Sequence, residues 1–242
     1  MKLFLACTSD KQYCIEEVKK IDYILESFYY FQPWQVPIIK KCKIFLLDSG
    51  AFTFMNTSKK KNIDWDAYLT NYINFINKYD IKYFFELDID SVVGLKEVER
   101  LRMRLENETR KKCIPVWHFN RGKDYFIKMC QEYDYIAFGG IITDGIKTKD
   151  ILKYLPWFVE TAHKNNCKIH ALGLTCKDID KYGLDSVDST SWKSGGRFGQ
   201  LYIFNGGEIK QVSYNDKRIS DYKKADIHNL KEWVKYQKYL DK

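Results

Sequence analysis

The stretch that decides the fold is Ile44-Phe45-Leu46-Leu47-Asp48-Ser49-Gly50-Ala51-Phe52, a short apolar run that ends on an acid and a glycine. A helix-like pattern follows over Asp64–Tyr79, and a second apolar run follows over Tyr83–Leu87. Two buried runs separated by an amphipathic helix are typical of parallel strands joined by a right-handed crossover. The sequence therefore predicts a strand–helix–strand unit, with Asp48 at the carboxyl end of its first strand.

The same alternation extends along the whole chain. The candidate strands are Leu3–Thr8, Ile44–Leu47, Tyr83–Leu87, Ile114–His118, Tyr135–Phe138, Lys168–Leu172, Ser186–Asp188 and Leu201–Phe204. The candidate helices are Ile15–Phe31, Asp64–Tyr79, Leu95–Thr109, Asp124–Glu132, Thr148–Asn165, Cys176–Tyr182 and Ile227–Leu240. Eight strands alternating with helices in 242 residues predict an α/β fold, a (β/α)8 TIM-type barrel that forms a single domain over residues 1–242. A doubly wound open sheet is the alternative, although no G-x-G-x-x-G fingerprint follows an early strand.

Composition narrows the class of protein. The chain has 40 Lys and Arg against 32 Asp and Glu, a net charge of +8, and 45% hydrophobic residues, which is typical of a globular protein and favours a polyanionic partner. No apolar run reaches the roughly 18–20 residues of a membrane span, so we expect no membrane partner. The seven cysteines include no C-x-x-C pair, which argues against a disulfide framework and a cysteine metal site. We therefore expect reduced thiols and a cytoplasmic location.

Polar side chains follow the predicted strands at the edge where α/β folds build their sites. Asp48, Asp88 and Asp188 follow three strands, and His118 and His170 lie at the ends of two others. Closing the barrel would bring the three aspartates together, and their mutual repulsion would raise the pKa of at least one. Such a set suits covalent and acid/base chemistry or a divalent metal site, and position alone does not separate the two.

Two further features have more than one interpretation. His118 and His170 are each either hydrogen-bonded structural residues or functional ones. The pair Gly139-Gly140 is either a tight turn or a place where a ligand approaches the backbone.

Four short segments stand in order at the strand ends: Asp48-Ser49-Gly50-Ala51-Phe52, Phe138-Gly139-Gly140-Ile141, Ile169-His170-Ala171-Leu172-Gly173 and Asp185-Ser186-Val187-Asp188-Ser189. They resemble the Asp-Ser-Gly-Gly-Phe segment, the Gly-Gly-Leu turn, the His-x-(Leu/Met)-Gly strand and the Asp-x-x-Asp segment of the queuine/archaeosine tRNA-guanine transglycosylase superfamily. The resemblance is greatest to short phage- and bacterium-type members, which put 7-deazaguanines into DNA. It runs from about residue 44 to residue 192 and implies a TIM-type catalytic barrel.

The resemblance also implies roles. Asp188 would attack C1′ of a nucleotide and form a covalent glycosyl-enzyme, Asp48 would be the general acid/base, and Asp88 would recognise the base edge. Base or sugar contacts are expected from Ser49, Gly50, Phe52, His118, Gly139, Gly140 and His170. No cofactor is needed, because one glycosidic bond replaces another.

Departures from the family pattern refine the expected substrate. No cysteine follows Cys176, so the family's zinc site and zinc subdomain are missing, and no metal is expected. Thr53 replaces a family Gln, and Trp117-His118 replaces a base-binding Gln. The resemblance therefore implies exchange of guanine for a free 7-deazaguanine base, such as 7-cyano-7-deazaguanine (preQ0), in DNA rather than tRNA, with tRNA as the alternative. A homodimer or a helper protein stays open, and a phage-encoded protein would work in the host cytoplasm.

Cations and aromatic residues beside these segments suggest a nucleic-acid surface. Phosphate contacts and base stacking are expected from Arg121, Trp192, Lys193 and Arg197, and stacking also from Trp117 or Phe52. Two other functions compete with base exchange: a metal-dependent TIM-barrel hydrolase that uses Asp48, Asp88, His118 and His170, and a non-catalytic nucleic-acid-binding module.

Overall fold

The computed structural model describes residues 1–51, 53, 63–140, 148–212 and 221–242. Within these ranges, eight parallel strands form one curled sheet: β1 Lys2–Ala6, β2 Tyr23–Ser27, β3 Ile44–Asp48, β4 Tyr83–Phe84, β5 Val116–Trp117, β6 Tyr135–Phe138, β7 Lys168–Ala171 and β8 Ser186–Ser189. The strands pair in the order β4-β3-β2-β1-β8-β7-β6-β5, so neighbours in the chain are neighbours in the sheet, and β1 lies beside β8.

The two edges of the curled sheet meet just beyond β4 and before β5. A parallel bridge joins Phe85 to Ile114. The Ile114 amide donates to the Phe84 carbonyl at 2.8 Å, and the Glu86 amide donates to the Ile114 carbonyl at 3.1 Å. The described fold is therefore mixed α/β with an eight-stranded parallel curled sheet, compatible with the TIM-type fold that the sequence predicts.

The helices lie outside this sheet. Those described are α1 Ile15–Val18, α2 Val36–Ile39, α3 Trp65–Tyr79, α4 Asp90–Val93, α5 Leu95–Thr109, α6 Gly122–Glu132, α7 Thr148–Lys164, α8 Ser194–Phe198 and α9 Tyr222–Leu240. Local sequence fixes several ends: Asp64 caps α3 by accepting from the Ala67 amide at 2.9 Å, and Asp221 caps α9 in the same way. None of the described helices has both the length and the apolar character that crossing a bilayer requires.

Alternation along the strands divides the core into two layers. Phe4, Leu25 and Leu46 pack with other inward residues inside the curled sheet. Their chain neighbours, such as Leu3 and Leu47, pack outward against the helices. Because the period is two, Asp48 lies on the same face as Leu46, the inner face.

Two sequence predictions are wrong. The predicted helix Ile15–Phe31 contains strand β2, because its apolar residues come from two elements: a one-turn helix and then a strand buried along its whole length. The predicted barrel strand Leu201–Phe204 is β9, which pairs antiparallel with β10, Ile209–Val212, in a separate hairpin that packs on α9. The missed strand β2 thus takes the place of the misassigned one, and the count of eight holds.

A smaller difference concerns Cys176–Tyr182, predicted as an α-helix. The structure has a 3-10 turn over Ile179–Tyr182 instead. Asp178 enters it with a positive φ of 56° and Gly183 follows with 76°, so the segment is too short and too bent for an α-helix.

Candidate active site

Asp48 ends β3 at the mouth of the curled sheet. Its Oδ2 accepts a hydrogen bond from the Gly50 amide at 3.0 Å, which bends the chain back over the carboxylate. Gly50 has a φ of +73°, and a Cβ there would lie 2.5 Å from Ser27 Oγ and 2.6 Å from Tyr29 Cβ. Glycine is therefore required for this turn and for the position of the Asp48 carboxylate.

The carboxyl of Asp48 is poised to exchange a proton near neutral pH. Burial raises its pKa to about 7, against the hydrogen bond from Gly50, and the negative charges of Asp88 and Asp188 raise it further. Asp88 and Asp188, at the ends of two other strands of the sheet, are thus near enough for their charges to act on Asp48. This arrangement can supply a general acid/base beside a carboxylate nucleophile.

Asp188 lies on β8 and is held at one oxygen. Its Oδ1 accepts from the Gly173 amide at 2.7 Å and contacts His170 Nε2 at 3.2 Å. Among the described residues, none donates to Oδ2. The side chain is 11% exposed, so a reacting group would reach Oδ2 only from the mouth.

His170 lies beneath Asp188 inside the sheet and is fully buried, at 0% exposure. Its Nδ1 contacts Ser186 Oγ at 2.7 Å, and Ser186 in turn hydrogen-bonds the Tyr135 hydroxyl. His170 therefore belongs to a buried polar chain that ends on Asp188 rather than to a wall that a ligand touches.

Asp88 and His118 form a second polar group at the mouth. Their Oδ1 and Nε2 atoms are 2.6 Å apart. Burial lowers the pKa of His118, but the hydrogen bond to Asp88 and the charges of Asp88 and Asp90 outweigh it, so the pKa is raised overall. The pair suits recognition of a ligand edge that carries both donors and acceptors.

Gly139 and Gly140 follow β6, and Gly139 lies against the His118 side chain. A Cβ on Gly139 would come within 2.7 Å of Val116 Cγ1 and 2.9 Å of His118 Cε1. Gly140 has a φ of +77°. Gly139 thus makes room for the imidazole, and the positive φ of Gly140 favours a glycine at that position.

Ser49, predicted to contact the substrate, also has a structural role. It is buried, its carbonyl accepts from the Tyr68 hydroxyl at 2.5 Å, and its Oγ accepts from the Ala51 amide at 3.4 Å. Ser49 therefore fixes the loop after β3. The predicted contact Phe52 lies outside the described residues, and so does the side chain of Arg197.

Three predicted nucleic-acid contacts are buried, which contradicts that role. Trp192 is 0% exposed, and its indole donates to the Ala6 carbonyl at 2.9 Å. Arg121 is held inside by Glu86 and Asp90, and Lys193 is buried and bound to Asp10 at 2.8 Å. Trp117, the other stacking candidate, is also in the core, where its ring packs on aromatic neighbours. Sequence position beside a motif does not separate a buried, ion-paired cation from an exposed one.

The sequence missed a buried carboxyl at the end of β2. Glu26 is 1% exposed, and its Oε1 accepts from the Thr8 amide at 2.6 Å and from the Thr8 hydroxyl. Gln35 supports this contact by donating to Thr8 Oγ1 at 2.9 Å. Oε2 is buried without a partner, and burial raises the pKa of Glu26 to about 7. The sequence does show an acid directly after the apolar pair Ile24-Leu25, which is typical of a strand end. The prediction of a helix over this stretch concealed it.

Asp90 is a second residue that the sequence passed over. One ligand atom each of Asp88, Asp90 and His118 lie within 4.8 Å of one another, so these residues could hold a cation. The guanidinium of Arg121 already binds Asp90 at 2.9 Å, and a ligating His118 would have to be neutral. Both features oppose metal binding at this position.

A separate cavity of about 670 Å³ lies beside the mouth, between the β9–β10 hairpin, α9 and the residues after β7. Thr175 lines it and also contacts Ser189 on β8 at 3.3 Å. The cavity is thus next to the candidate active site, but none of the three aspartates lines it.

Comparison with known proteins bears on the fold. No family model matches the sequence. No curated protein matches it either. Among solved structures, the chain is similar to the carboxyl transferase domain of Rhizobium etli pyruvate carboxylase, solved with 3-bromopyruvate. The TM-score is 0.51 and the sequence identity is 13%, and the match covers 99% of this chain and 47% of that one. The same domain with pyruvate gives a TM-score of 0.50 at 12% identity, with the same coverage of 99% and 47%.

This chain therefore spans about half the length of the solved chains that it matches. At such low identity the likeness shows the fold alone. The chain shares a TIM-barrel-like architecture with an enzyme domain.

Proposed function

We propose that this protein is a nucleic-acid guanine transglycosylase that exchanges guanine for a 7-deazaguanine base. The proposal rests on the family resemblance of the strand-end segments and on one observation above all. Asp48, with a pKa raised to about 7 by burial and by the two other carboxylates, shares the mouth of the sheet with Asp188 and Asp88. A neutral acid beside a carboxylate with a free oxygen is what double displacement at a sugar carbon needs.

The first displacement would use Asp188 and Asp48. Oδ2 of Asp188 attacks C1′ as the bond from C1′ to N9 of guanine breaks, and the electron pair stays on N9. Asp48 donates its proton to the leaving base and becomes a carboxylate. A glycosyl ester with Asp188 is left.

The second displacement reverses these roles. Asp48 takes the N9 proton of the incoming base, N9 attacks C1′, and the bond from C1′ to Asp188 breaks. Both carboxyls return to their starting states, and two inversions retain the anomeric configuration. No cofactor enters this balance.

Recognition of the base would fall to Asp88 and His118. The carboxylate can accept from the N1–H and the exocyclic amine of a guanine-type base. His118, bound to Oδ1 of Asp88 at 2.6 Å, fixes the direction in which that carboxylate faces. The target base must leave the helix stack to reach the mouth, so we expect base flipping or a single-stranded substrate.

The wider assignment follows from this proposal. We infer a (β/α)8 barrel that acts in the cytoplasm on DNA rather than tRNA. The net charge of +8 supports a nucleic-acid partner. With Arg121, Trp192 and Lys193 buried, the phosphate contacts must come from other side chains, and a homodimer or a helper protein could supply some.

The test is base exchange with matched variants. Labelled guanine or 7-cyano-7-deazaguanine is offered with DNA and with tRNA to the wild-type protein, Asp188→Asn, Asp48→Asn and Asp124→Asn. The last variant alters an exposed aspartate on α6 and serves as the control. We expect incorporation by the wild type and the control, a covalent adduct on denaturing gels, and neither with Asp188→Asn. Full exchange by Asp188→Asn would overturn the proposal.

A metal-dependent hydrolase is the second candidate, favoured by the grouping of Asp88, Asp90 and His118. It differs from the sequence-based version, because His170 contacts Asp188 and Ser186 instead of the cluster. This candidate predicts stoichiometric binding of a divalent cation in calorimetry, abolished in Asp90→Asn, and activity that a chelator removes. Base exchange that is indifferent to chelator would reject it.

A further inference from the structure

We propose that Tyr135, Ser186 and His170 form a hydrogen-bond relay that positions Asp188, with Oδ1 held and Oδ2 presented as the attacking oxygen. The identity of the electrophile rests on the proposed function, whereas the relay itself is a statement about the geometry inside the sheet. All three relay members are positioning residues, because they act on the reaction only through Asp188.

Strand register brings the relay together. His170 on β7 is level with Ser186 on β8 and with Ala137 on β6. Tyr135 reaches across from the start of β6 to Ser186. Residues two apart on a strand share a face, so Ser186 and Asp188 both point inward, one above the other. The imidazole of His170 spans the gap between them.

The relay is dry. His170 is 0% and Ser186 is 1% exposed, and the rings of Phe4 and Phe85 lie 5.9 Å and 5.6 Å from the imidazole. Hydrogen bonds in such a setting are strong, and a missing partner is costly. Each polar atom in the chain therefore constrains the next one.

The direction of the hydrogen bonds follows from chemistry. The Tyr135 hydroxyl and Ser186 Oγ share a hydrogen bond, and burial raises the pKa of Tyr135, so the hydroxyl keeps its proton and can donate it to Ser186. Ser186 then donates to Nδ1 of His170, which leaves the imidazole hydrogen on Nε2, facing Oδ1 of Asp188 at 3.2 Å. A carboxylate oxygen can only accept, so the contact with Asp188 Oδ1 also calls for the hydrogen on Nε2. The relay thus selects the Nε2–H tautomer.

The tautomer matters for the nucleophile. With Nε2–H and the Gly173 amide both donating to Oδ1, that oxygen is stabilised and less nucleophilic. Oδ2 receives no hydrogen bond from the described residues and keeps its lone pairs for attack. If the hydrogen moved to Nδ1, the Nε2 lone pair would face Oδ1, and their repulsion would turn the carboxylate away from the productive geometry.

At the Tyr135 end of the relay lies a small cavity of about 70 Å³, which is lined by Tyr135, Ser186 and Tyr83. Tyr83 shares this cavity and packs against Tyr135, with ring centroids 6.5 Å apart, but its hydroxyl has no hydrogen bond to the relay. Tyr83→Phe is therefore a matched control for Tyr135→Phe. Each change deletes one tyrosine hydroxyl at the same cavity.

The experiment reads the tautomer directly. The protein has four histidines, so selective ¹⁵N labelling and a His170→Asn variant assign the His170 signals in long-range proton–nitrogen spectra. We expect the wild type and Tyr83→Phe to show Nε2 protonated and Nδ1 not. Ser186→Ala and Tyr135→Phe should shift His170 toward the Nδ1–H form or a mixture. If Ser186→Ala does not fold, Tyr135→Phe decides alone.

Kinetics give the second readout. For base exchange, we expect kcat to fall about 10- to 100-fold in Ser186→Ala and less in Tyr135→Phe, with KM unchanged. An Nδ1–H tautomer in the wild type, or an unchanged His170 tautomer in both relay variants, would overturn the relay. A wild type without any exchange activity would instead refute the proposed function, and the spectra would still decide on the relay.

Discussion

Glu26 offers a quantitative test of the energetics of this fold. Its carboxyl is 1% exposed, with Oε1 bound to Thr8 and Oε2 without a partner. Burial raises its pKa from 4.5 to about 7, against the hydrogen bonds from Thr8. At about 1.4 kcal/mol for each pH unit, this change corresponds to about 3 kcal/mol of folding free energy.

The sign follows from the proton balance. Because the folded form holds the proton more tightly than the unfolded chain, the stabilising contribution is complete below about pH 4.5. It is lost as the pH rises through about 7, where the folded form must ionise Glu26 in a buried place. Above that pH the loss is complete and constant.

Glu26→Gln removes the titration and keeps the shape. The amide oxygen can accept from Thr8 as Oε1 does, and no group is left to ionise. We expect urea unfolding to give the wild type and the variant similar free energies at pH 5, and a variant more stable by about 1–3 kcal/mol at pH 8. Asp48 titrates in the same range, so the difference between the two proteins, rather than the wild-type curve, isolates Glu26. A difference that is the same at pH 5 and pH 8 would refute the reasoning.

Four further predictions test the site and its frame. The first displacement needs protonated Asp48, so kcat/KM for base exchange should fall as the pH rises above about 7. In a pH–rate profile, Asp48→Asn should lower the rate by about 100-fold or more and abolish this fall. Gly50→Ala should cost about 2–4 kcal/mol in urea unfolding, from a positive φ and from contacts as short as 2.5 Å. Gly139→Ala should displace the His118 imidazole and shift its ¹⁵N signals, because the new Cβ would lie 2.9 Å from Cε1. Arg121→Met should destabilise the fold by about 3–5 kcal/mol in the same unfolding assay, since Asp90 loses its cation and Glu86 keeps only Arg102.

Local sequence patterns were sufficient to predict the α/β class and the place of the three aspartates. Buried runs such as Ile44–Leu47 and Tyr135–Phe138 have no polar residue, so they could be interpreted only as strands covered on both faces. An acid directly after such a run lies at a strand end whatever the tertiary contacts are. For this reason the positions of Asp48 and Asp188 followed from the sequence.

The errors came where two short elements share one periodic pattern. Ile15–Val18 is a single helical turn and Tyr23–Ser27 is a strand, but their apolar residues happen to repeat at helical spacing. Gln237 on α9 holds this strand by donating to the Tyr23 carbonyl at 2.9 Å, a contact between residues 214 positions apart. The hydrophobic periodicity of a short segment carries no information about a contact between residues so far apart in the chain.

The burial of the predicted nucleic-acid contacts was hidden for a related reason. Arg121 and Lys193 stand beside motif residues in sequence, and a cation near a site is commonly interpreted as a phosphate ligand. Their acidic partners are Glu86, Asp90 and Asp10, all distant in the chain from the cation that they bind. Only the fold shows that these charges are already neutralised.

Glu26 and Asp48 show that strand register, rather than a raised pKa, distinguishes a structural carboxyl group from one placed for catalysis. They lie at neighbouring strand ends, Glu26 buried and Asp48 partly buried, and both have a pKa raised to about 7. In the β2–β3 register, Glu26 is level with Leu47, which faces the outer layer, whereas Asp48 is level with Ser27 on the inner face. A shift of one residue therefore sends one carboxyl toward Thr8 behind the sheet and the other toward Asp188 at its mouth. If this is right, Glu26→Gln changes the pH dependence of stability, Asp48→Asn changes the pH dependence of base exchange, and neither substitution produces the effect of the other.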